Sequence, residues 1–370
     1  MTSAAPLSFA LSRRDVERLR SHAADADAAG TLHPSQRALI HHRGWLKMLA
    51  PREASGRQLP LPEAVRLEEA IAHADGSCGW VVTLCAGAGW FAGFLPPVLA
   101  KEVICTKRVC LAGSGAPAGI ARRARDGWRI TGRWDHASGA PLATHFTFNA
   151  VLQEGDEPLT DEQGRPRIRA FIAPSSQVRV VESWHAIGLR ATASHSFRID
   201  EAWLPLDHAF DIDAAKATAQ GPLYRFPFLT LAYVTLAANL CGMARHFLEL
   251  AGPIVAHRRH GSTGTFGDLP KVRALLERIE GDLGSTRERF LATLDAAWAH
   301  VEADATLPDR ESSALDAASL DLVAASRSVV DGLYPWCGLR AADARTDVNR
   351  VWRDYHTATQ HALLVDARVP

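Results

Sequence analysis

The chain has 370 residues, 47% hydrophobic and 22% charged, long enough to bury a large core. Lys+Arg and Asp+Glu both number 41, so the formal net charge is zero. That balance argues against a nucleic-acid or anionic-membrane partner, since both select a basic surface.

The N-terminus lacks the basic segment and apolar run of a secretory signal. The longest apolar candidate, residues 228–244, falls short of the roughly 20 residues that span a bilayer and reads as a core helix. Cys78, Cys85, Cys105, Cys110, Cys241 and Cys337 form no C-x-x-C pair, so they read as reduced thiols and the protein as cytoplasmic.

Residues 1–106 read as a helical domain. "SRRDVERLRSHAADADAAG" starts at a Ser cap and ends at Gly30. "LPEAVRLEEAIAHA" carries apolar residues at Ala64, Leu67, Ile71 and Ala74 and breaks at "DGS". Residues 107–215 change to strand periodicity. In "GWRITGRW", Trp128, Ile130 and Gly132 alternate with Arg129, Thr131 and Arg133. "HFTFNAVL", "IRAFIAP", "VRVVESW" and "SHSFRIDEAWLP" continue it, after a Gly/Ala-rich loop at 111–121. From 216 to 370 the helical period returns, first in a long helix with Pro253 near its end and last in "TDVNRVWRDYHTATQHALL". The fold class is therefore α+β: an N-terminal helical domain, a central β-barrel-like domain and a C-terminal four-helix bundle.

Several side chains invite a chemical reading and a plain one. Ser138-Gly139 ends a strand, and Gly139 permits close backbone approach to a flat ligand; a turn Ser after a core strand looks the same. Arg190, Thr192 and Ser194 alternate, which puts them on one strand face, toward a ligand or toward solvent. Arg350, Asp354, Thr357 and His361 fall at i, i+4, i+7 and i+11 of the last helix, with His356 pointing elsewhere. Asp354 with Arg350 fits a surface bridge equally well. Trp90, Phe91 and Phe94 either line a pocket or pack between helices.

The order of these blocks, with four stretches in it, resembles the acyl-CoA dehydrogenase superfamily over residues 60–365. More closely it resembles the flavin-dependent monooxygenases built on that fold, oxygenase components of two-component hydroxylases. The stretches are "LEEAIAHADGSCGWVV", "DGWRITGRWDHASGAPLATHF", "WHAIGLRATASHSFRIDEAWLP" and "NRVWRDYHTATQHALL". The resemblance implies FAD or FMN as cofactor, its reduced form supplied by a separate flavin reductase, with O2 and a small aromatic or heterocyclic substrate. It implies a homotetramer. It places Ser138 at the reactive edge of the flavin ring and Trp134 as a planar surface beside it. It assigns Ser114, Arg190, Thr192 and Ser194 to the cofactor, and His361 to acid/base work beside the ring. Arg259 and Phe266 resemble an R-x-x-F-G phosphate segment, although six residues separate them instead of two.

What is missing separates the branches. An acyl-CoA dehydrogenase needs a carboxylate base, and "YPWCGLRAADARTDVNR" offers no Glu where one is expected, only the shorter Asp343 and Asp347. No G-x-G-x-x-G opens a βαβ unit, so no nicotinamide site is read. The alternatives are a flavin dehydrogenase or oxidase of a CoA-bound or carrier-bound acyl group, and a non-catalytic member of the fold.

Overall fold

The computed structural model describes residues 11–262, 264–303 and 306–364. Six helices come first: α1 (Arg13–Arg20), α2 (Ala23–Ala29), α3 (Pro34–Arg43), α4 (Leu61–Ala74), α5 (Gly76–Trp90) and α6 (Pro97–Cys105). The single helix expected over 12–30 is two. Ser12 caps its start in a reciprocal pair with Asp15, and Gly30 closes its end at φ +66°, but the chain breaks at Ser21 and His22. Asp75 separates α4 from α5. Its extended backbone stops the first helix, and its carboxylate accepts the Cys78 N–H at 2.8 Å to start the second.

The strands follow: β1 (Leu111–Ala124), β2 (Gly127–Ala137), β3 (His145–Glu154), β4 (Glu157–Pro158), β5 (Ile168–Pro174), β6 (Arg179–Val181), β7 (His195–Pro205) and β8 (Ala209–Phe210). Their order is β6-β7-β2-β1-β3-β5-β8, with β4 on β3, and β1 and β3 run parallel. The sheet has its own core, built around Trp128, Trp134, Phe146, Phe148, Phe171 and Phe197. Alternation along β2 is as the sequence dictates, Trp128 and Ile130 inside and Arg129 and Thr131 outside. The expected loop at 111–121 is part of β1. It stays in the sheet because Gly113 packs against the Thr147 backbone and Asn149 donates to the Gly115 carbonyl at 2.8 Å; the register shifts between Ser114 and Gly119.

The last third holds α7 (Phe228–His257), a small β9 (Arg259–His260) and β10 (Gly264–Thr265) hairpin, α8 (Pro270–Glu302), α9 (Asp309–Leu333), α10 (Leu339–Ala342) and α11 (Asp347–Ala358). Helices α7, α8, α9 and α11 make the bundle, and α7 also packs on α4. The apolar stretch read as short continues into a 30-residue helix that runs on past Pro253. It and Gly76–Phe94 are long and apolar enough to cross a membrane, yet 72% and 83% of their most apolar windows are buried inside the fold. Close approach explains Gly242 of α7: a Cβ there would lie 2.3 Å from the Glu69 carbonyl oxygen of α4. Next to that seam the Glu69 carboxylate accepts from Arg245 of α7 at 2.6 Å and Arg287 of α8 at 2.7 Å, tying three helices together.

Candidate active site

Strands β2 and β7 are antiparallel with Ala137 opposite His195, so the next residues, Ser138 and Ser194, face each other where both strands end. Their hydroxyls are 2.8 Å apart, and Ser194 is 2.7 Å from the Thr192 hydroxyl, which donates to the Leu189 carbonyl at 2.7 Å. All three are buried. Gly139, at φ +74°, donates its N–H to the Thr192 carbonyl at 2.8 Å; a Cβ there would sit 3.1 Å from the Cys85 sulfur of α5. A row of hydroxyls is thus held against α5 at the end of the sheet.

Residues 188–194 are not the alternating strand expected. Arg190–Thr192 is a single 3-10 turn between Leu189 (φ +49°) and Ala193 (φ +45°), both left-handed without being glycine. Such residues persist only where the surroundings over-determine them. The turn brings Thr192 and Ser194 together and sends Arg190 to solvent, so the cofactor role expected of Arg190 has no geometric support.

The surroundings are the last helix. Asp354 accepts the Leu189 N–H at 2.5 Å and Thr357 accepts the Gly188 N–H at 3.0 Å. Arg353 donates to the Ile187 carbonyl at 2.5 Å and pairs with Asp27 of α2 at 2.8 Å. Gly188 lies so close to α11 that a Cβ would be 2.0 Å from the Arg353 carbonyl oxygen. Asp354 is therefore no surface bridge: it is buried, and Arg350 pairs with Asp347 at 2.6 Å instead. Burial and the neighbouring Asp75 push the Asp354 carboxyl up to about 7, against the opposing pull of the Leu189 N–H and Arg350.

Helix α11 stops at Ala358, so His361 lies beyond it, in a turn whose N–H reaches the Ala358 carbonyl at 3.1 Å. Its ring stands edge-on to Trp80 of α5, centroids 5.9 Å apart. His361 Nδ1 accepts the Leu363 N–H at 3.3 Å, which leaves the proton of the neutral ring on Nε2. Burial lowers its pKa. His356 is elsewhere, its ring tilted against Trp352 at 4.6 Å between centroids and 3.2 Å from Asp331 of α9.

Beyond the buried Trp80, one stripe of α5 is only partly covered. Leu84 and Gly87 are the residues of this helix that are not fully buried, and a Cβ at Gly87 would meet nothing within 4 Å. Positions 80, 84, 87 and 91 share one helical face, about 16 Å long. Phe91 ends the stripe, 5.7 Å from Phe210 and 5.4 Å from Phe228. Trp90 and Phe94 are on another face. Trp90 is buried with its N–H on the Leu223 carbonyl at 2.9 Å, and with Phe94 it lines a separate cavity of about 440 Å³.

Other expectations meet a different arrangement. Trp134 lies inside the sheet core, stacked on Phe197 at 5.1 Å, with its N–H on the Asn149 carbonyl at 2.9 Å. Both faces and the donor are used, so it offers no platform to a ligand. Ser114 is half-buried in the bulge of β1. Arg259 is exposed and donates to the Ser262 carbonyl, while its neighbour Arg258 lies over the Phe266 ring at 5.0 Å. Arg258, with His257, Arg340 and Arg345, lines a groove of about 930 Å³ between the end of α7 and residues 337–348. The sequence reading passed over Trp80, Leu84 and Gly87. The i, i+4, i+7 spacing of that stripe was visible, but an apolar helix gives no sign of which face stays open.

Helices, sheet and bundle in this order, with buried hydroxyls at the sheet end and an imidazole across α5, define an acyl-CoA dehydrogenase-like fold with a polar site between its parts. Residues 234–366 match the family described as acyl-CoA dehydrogenase, C-terminal domain. The indole-3-acetate monooxygenase of Pseudomonas putida is 26% identical over 87% of this chain and 81% of its own length. The oxygenase component of the FADH2-dependent resorcinol hydroxylase of Rhizobium sp. (strain MTP-10005) is 25% identical over 92% and 87%. Among solved structures, the 3-HSA hydroxylase from Rhodococcus sp. RHA1 superposes with a TM-score of 0.85 at 20% identity, covering 95% of this chain and 91% of that one. The chain is thus similar to the acyl-CoA dehydrogenase family in its last third, and over most of its length to proteins named as flavin-dependent oxygenases.

Proposed function

We propose that the protein is the oxygenase component of a two-component flavin-dependent monooxygenase, acting on a small aromatic or heterocyclic molecule. The observation that carries this reading is the buried row Ser138, Ser194 and Thr192 packed on α5, in a chain with relatives named as oxygenase components or subunits of flavin-dependent enzymes. These residues fit a reduced flavin: Thr192 donates to Leu189, Ser194 to Thr192 and Ser138 to Ser194, so the Ser138 oxygen keeps a lone pair for an N–H at the polar edge of the ring, and the stripe on α5 offers an apolar wall. Bound reduced flavin would supply the two electrons with which O2 gives one oxygen atom to the substrate and the other to water.

The chain's own residues bind, orient and exclude water. Ser138 orients the reacting edge of the cofactor. His361, with Nδ1 engaged by Leu363, presents Nε2–H as a hydrogen-bond donor beside Trp80. The stripe from Trp80 through Leu84 and Gly87 to Phe91 receives the substrate. Arg258 lines the groove beside Glu249, His257, Arg340, Arg345 and Asp347, and Arg259 does not, so Arg258 is the candidate for a cofactor phosphate, through the guanidinium N–H groups that the Trp336 carbonyl leaves free. We assign either FAD or FMN, a homotetrameric assembly and a cytoplasmic setting; the six free cysteines agree with the last.

The dehydrogenase alternative is disfavoured, because the two carboxylates that could replace its base are both engaged. Arg345 holds Asp343 down to about 2, and Asp347 pairs with Arg350. The test is NADH consumption with a generic flavin reductase, FAD or FMN, O2 and a panel of phenols and indoles. Hydroxylated product that needs the reductase supports the reading. Anaerobic bleaching of bound flavin by butyryl-CoA supports the dehydrogenase. Light scattering at micromolar concentration gives the tetramer or refutes it.

A further inference from the structure

The last helix reaches the hydroxyl row through backbone alone. Asp354 and Thr357 accept the N–H groups of Leu189 and Gly188. Leu189 is the left-handed residue that opens the 190–192 turn, and its carbonyl accepts from the Thr192 hydroxyl and from Trp184 Nε1 at 2.9 Å. Thr192 touches Ser194, and Ser194 touches Ser138. The turn carries two strained non-glycine residues, so free of this grip it has a lower-energy conformation to relax into.

We propose that Asp354 and Thr357 of α11 are positioning residues that set the Ser138 hydroxyl through the Leu189–Ser194 turn. This rests on the reading of Ser138 as the group facing the flavin. Neither Asp354 nor Thr357 is placed at the ligand; each acts on it through the turn. The requirement at 354 is an acceptor for the Leu189 N–H. An asparagine keeps that acceptor and an alanine does not. A valine at 357 keeps the shape and removes the acceptor for Gly188. With the turn relaxed, Ser138 loses its partner Ser194 and no longer holds one orientation.

The experiment needs no substrate. Protein loaded anaerobically with dithionite-reduced FAD is mixed with O2, and hydrogen peroxide release is followed; the flavin gives two electrons and two protons to O2, leaving oxidised FAD and H2O2. Ser138→Ala is expected to speed release. Asp354→Ala and Thr357→Val are expected to speed it roughly 3- to 10-fold, the worth of one hydrogen bond, with Asp354→Asn within about twofold of wild type. In a Ser138→Ala background, Asp354→Ala and Thr357→Val should add nothing, a non-additivity that a merely structural role does not produce. Thr357→Val keeps the test open if Asp354→Ala fails to fold. Unchanged release in Thr357→Val and in folded Asp354→Ala, while Ser138→Ala accelerates it, overturns the positioning role. So do equal increments with and without Ser138. Unchanged release in Ser138→Ala itself overturns the reading of Ser138 on which the proposal stands.

Discussion

His361 stands edge-on to Trp80, 5.9 Å between ring centres, so a residue just past the last helix meets one at the start of the most buried helix of the N-terminal domain. The proton on Nε2 follows from the Leu363 N–H on Nδ1. His361→Ala should keep fold and flavin binding and lower product per reduced flavin by on the order of 10²-fold. Because burial lowers its pKa below the ordinary imidazole value, the neutral ring predominates at pH 7, and its contribution should be lost as the pH falls below that ordinary value. Loss in step with unfolding would return His361 to plain packing.

His356→Ala is the control on the same segment. It removes the contact with Asp331 that ties α11 to α9, and the ring contact with Trp352 on α11 itself. The expected loss is stability, roughly 1 kcal/mol, seen as a lower thermal midpoint at unchanged turnover per folded molecule. A turnover defect equal to that of His361→Ala would contradict the assignment.

Gly87 tests the stripe. Nothing lies within 4 Å of a Cβ there, so Gly87→Ala meets no clash and gains helix propensity of about 0.5–1 kcal/mol. The melting point should rise. Gly87→Leu should crowd the stripe and raise KM more for two-ring than for one-ring substrates. KM raised by the same factor for both ring sizes in Gly87→Leu, or not raised at all, would move the substrate away from α5.

Glu68 on α4 is wholly buried and neither carboxyl oxygen has a partner; burial raises its pKa to about 8. The native state thus keeps a proton that the unfolded chain releases near the ordinary value. Native stability falls as pH rises between those two values, and is level above the higher one. Glu68→Gln should abolish that slope. Its stability should match wild type near pH 4 and exceed it by roughly 1 kcal/mol or more at pH 9. Parallel urea-unfolding curves at all pH values would show that Glu68 ionises freely.

Block order and strand alternation were legible because they depend on periodicity, as in β2, where Trp128 and Ile130 point inward. Ser138, Thr192 and Ser194 were legible as residues, but what joins them was misread. Alternation put Arg190 with them, whereas two left-handed residues fold the segment into a turn. Trp134 looked like a ligand platform because an indole offers a flat face; the sheet core uses both faces. Asp354 looked like half of an i,i+4 bridge because helical spacing says nothing of what packs above. Its partner is a backbone N–H 165 positions away, a contact that no local pattern encodes.

The central claim is oxygen transfer from O2 by flavin reduced elsewhere. The most direct test incubates the protein with FAD, NADH, a generic reductase and a phenol and indole panel under 18O2, and reads product mass. The account predicts one 18O atom per product molecule, and no product when the reductase is left out. Product oxygen drawn from water, or turnover with NADH and no reductase, would contradict it.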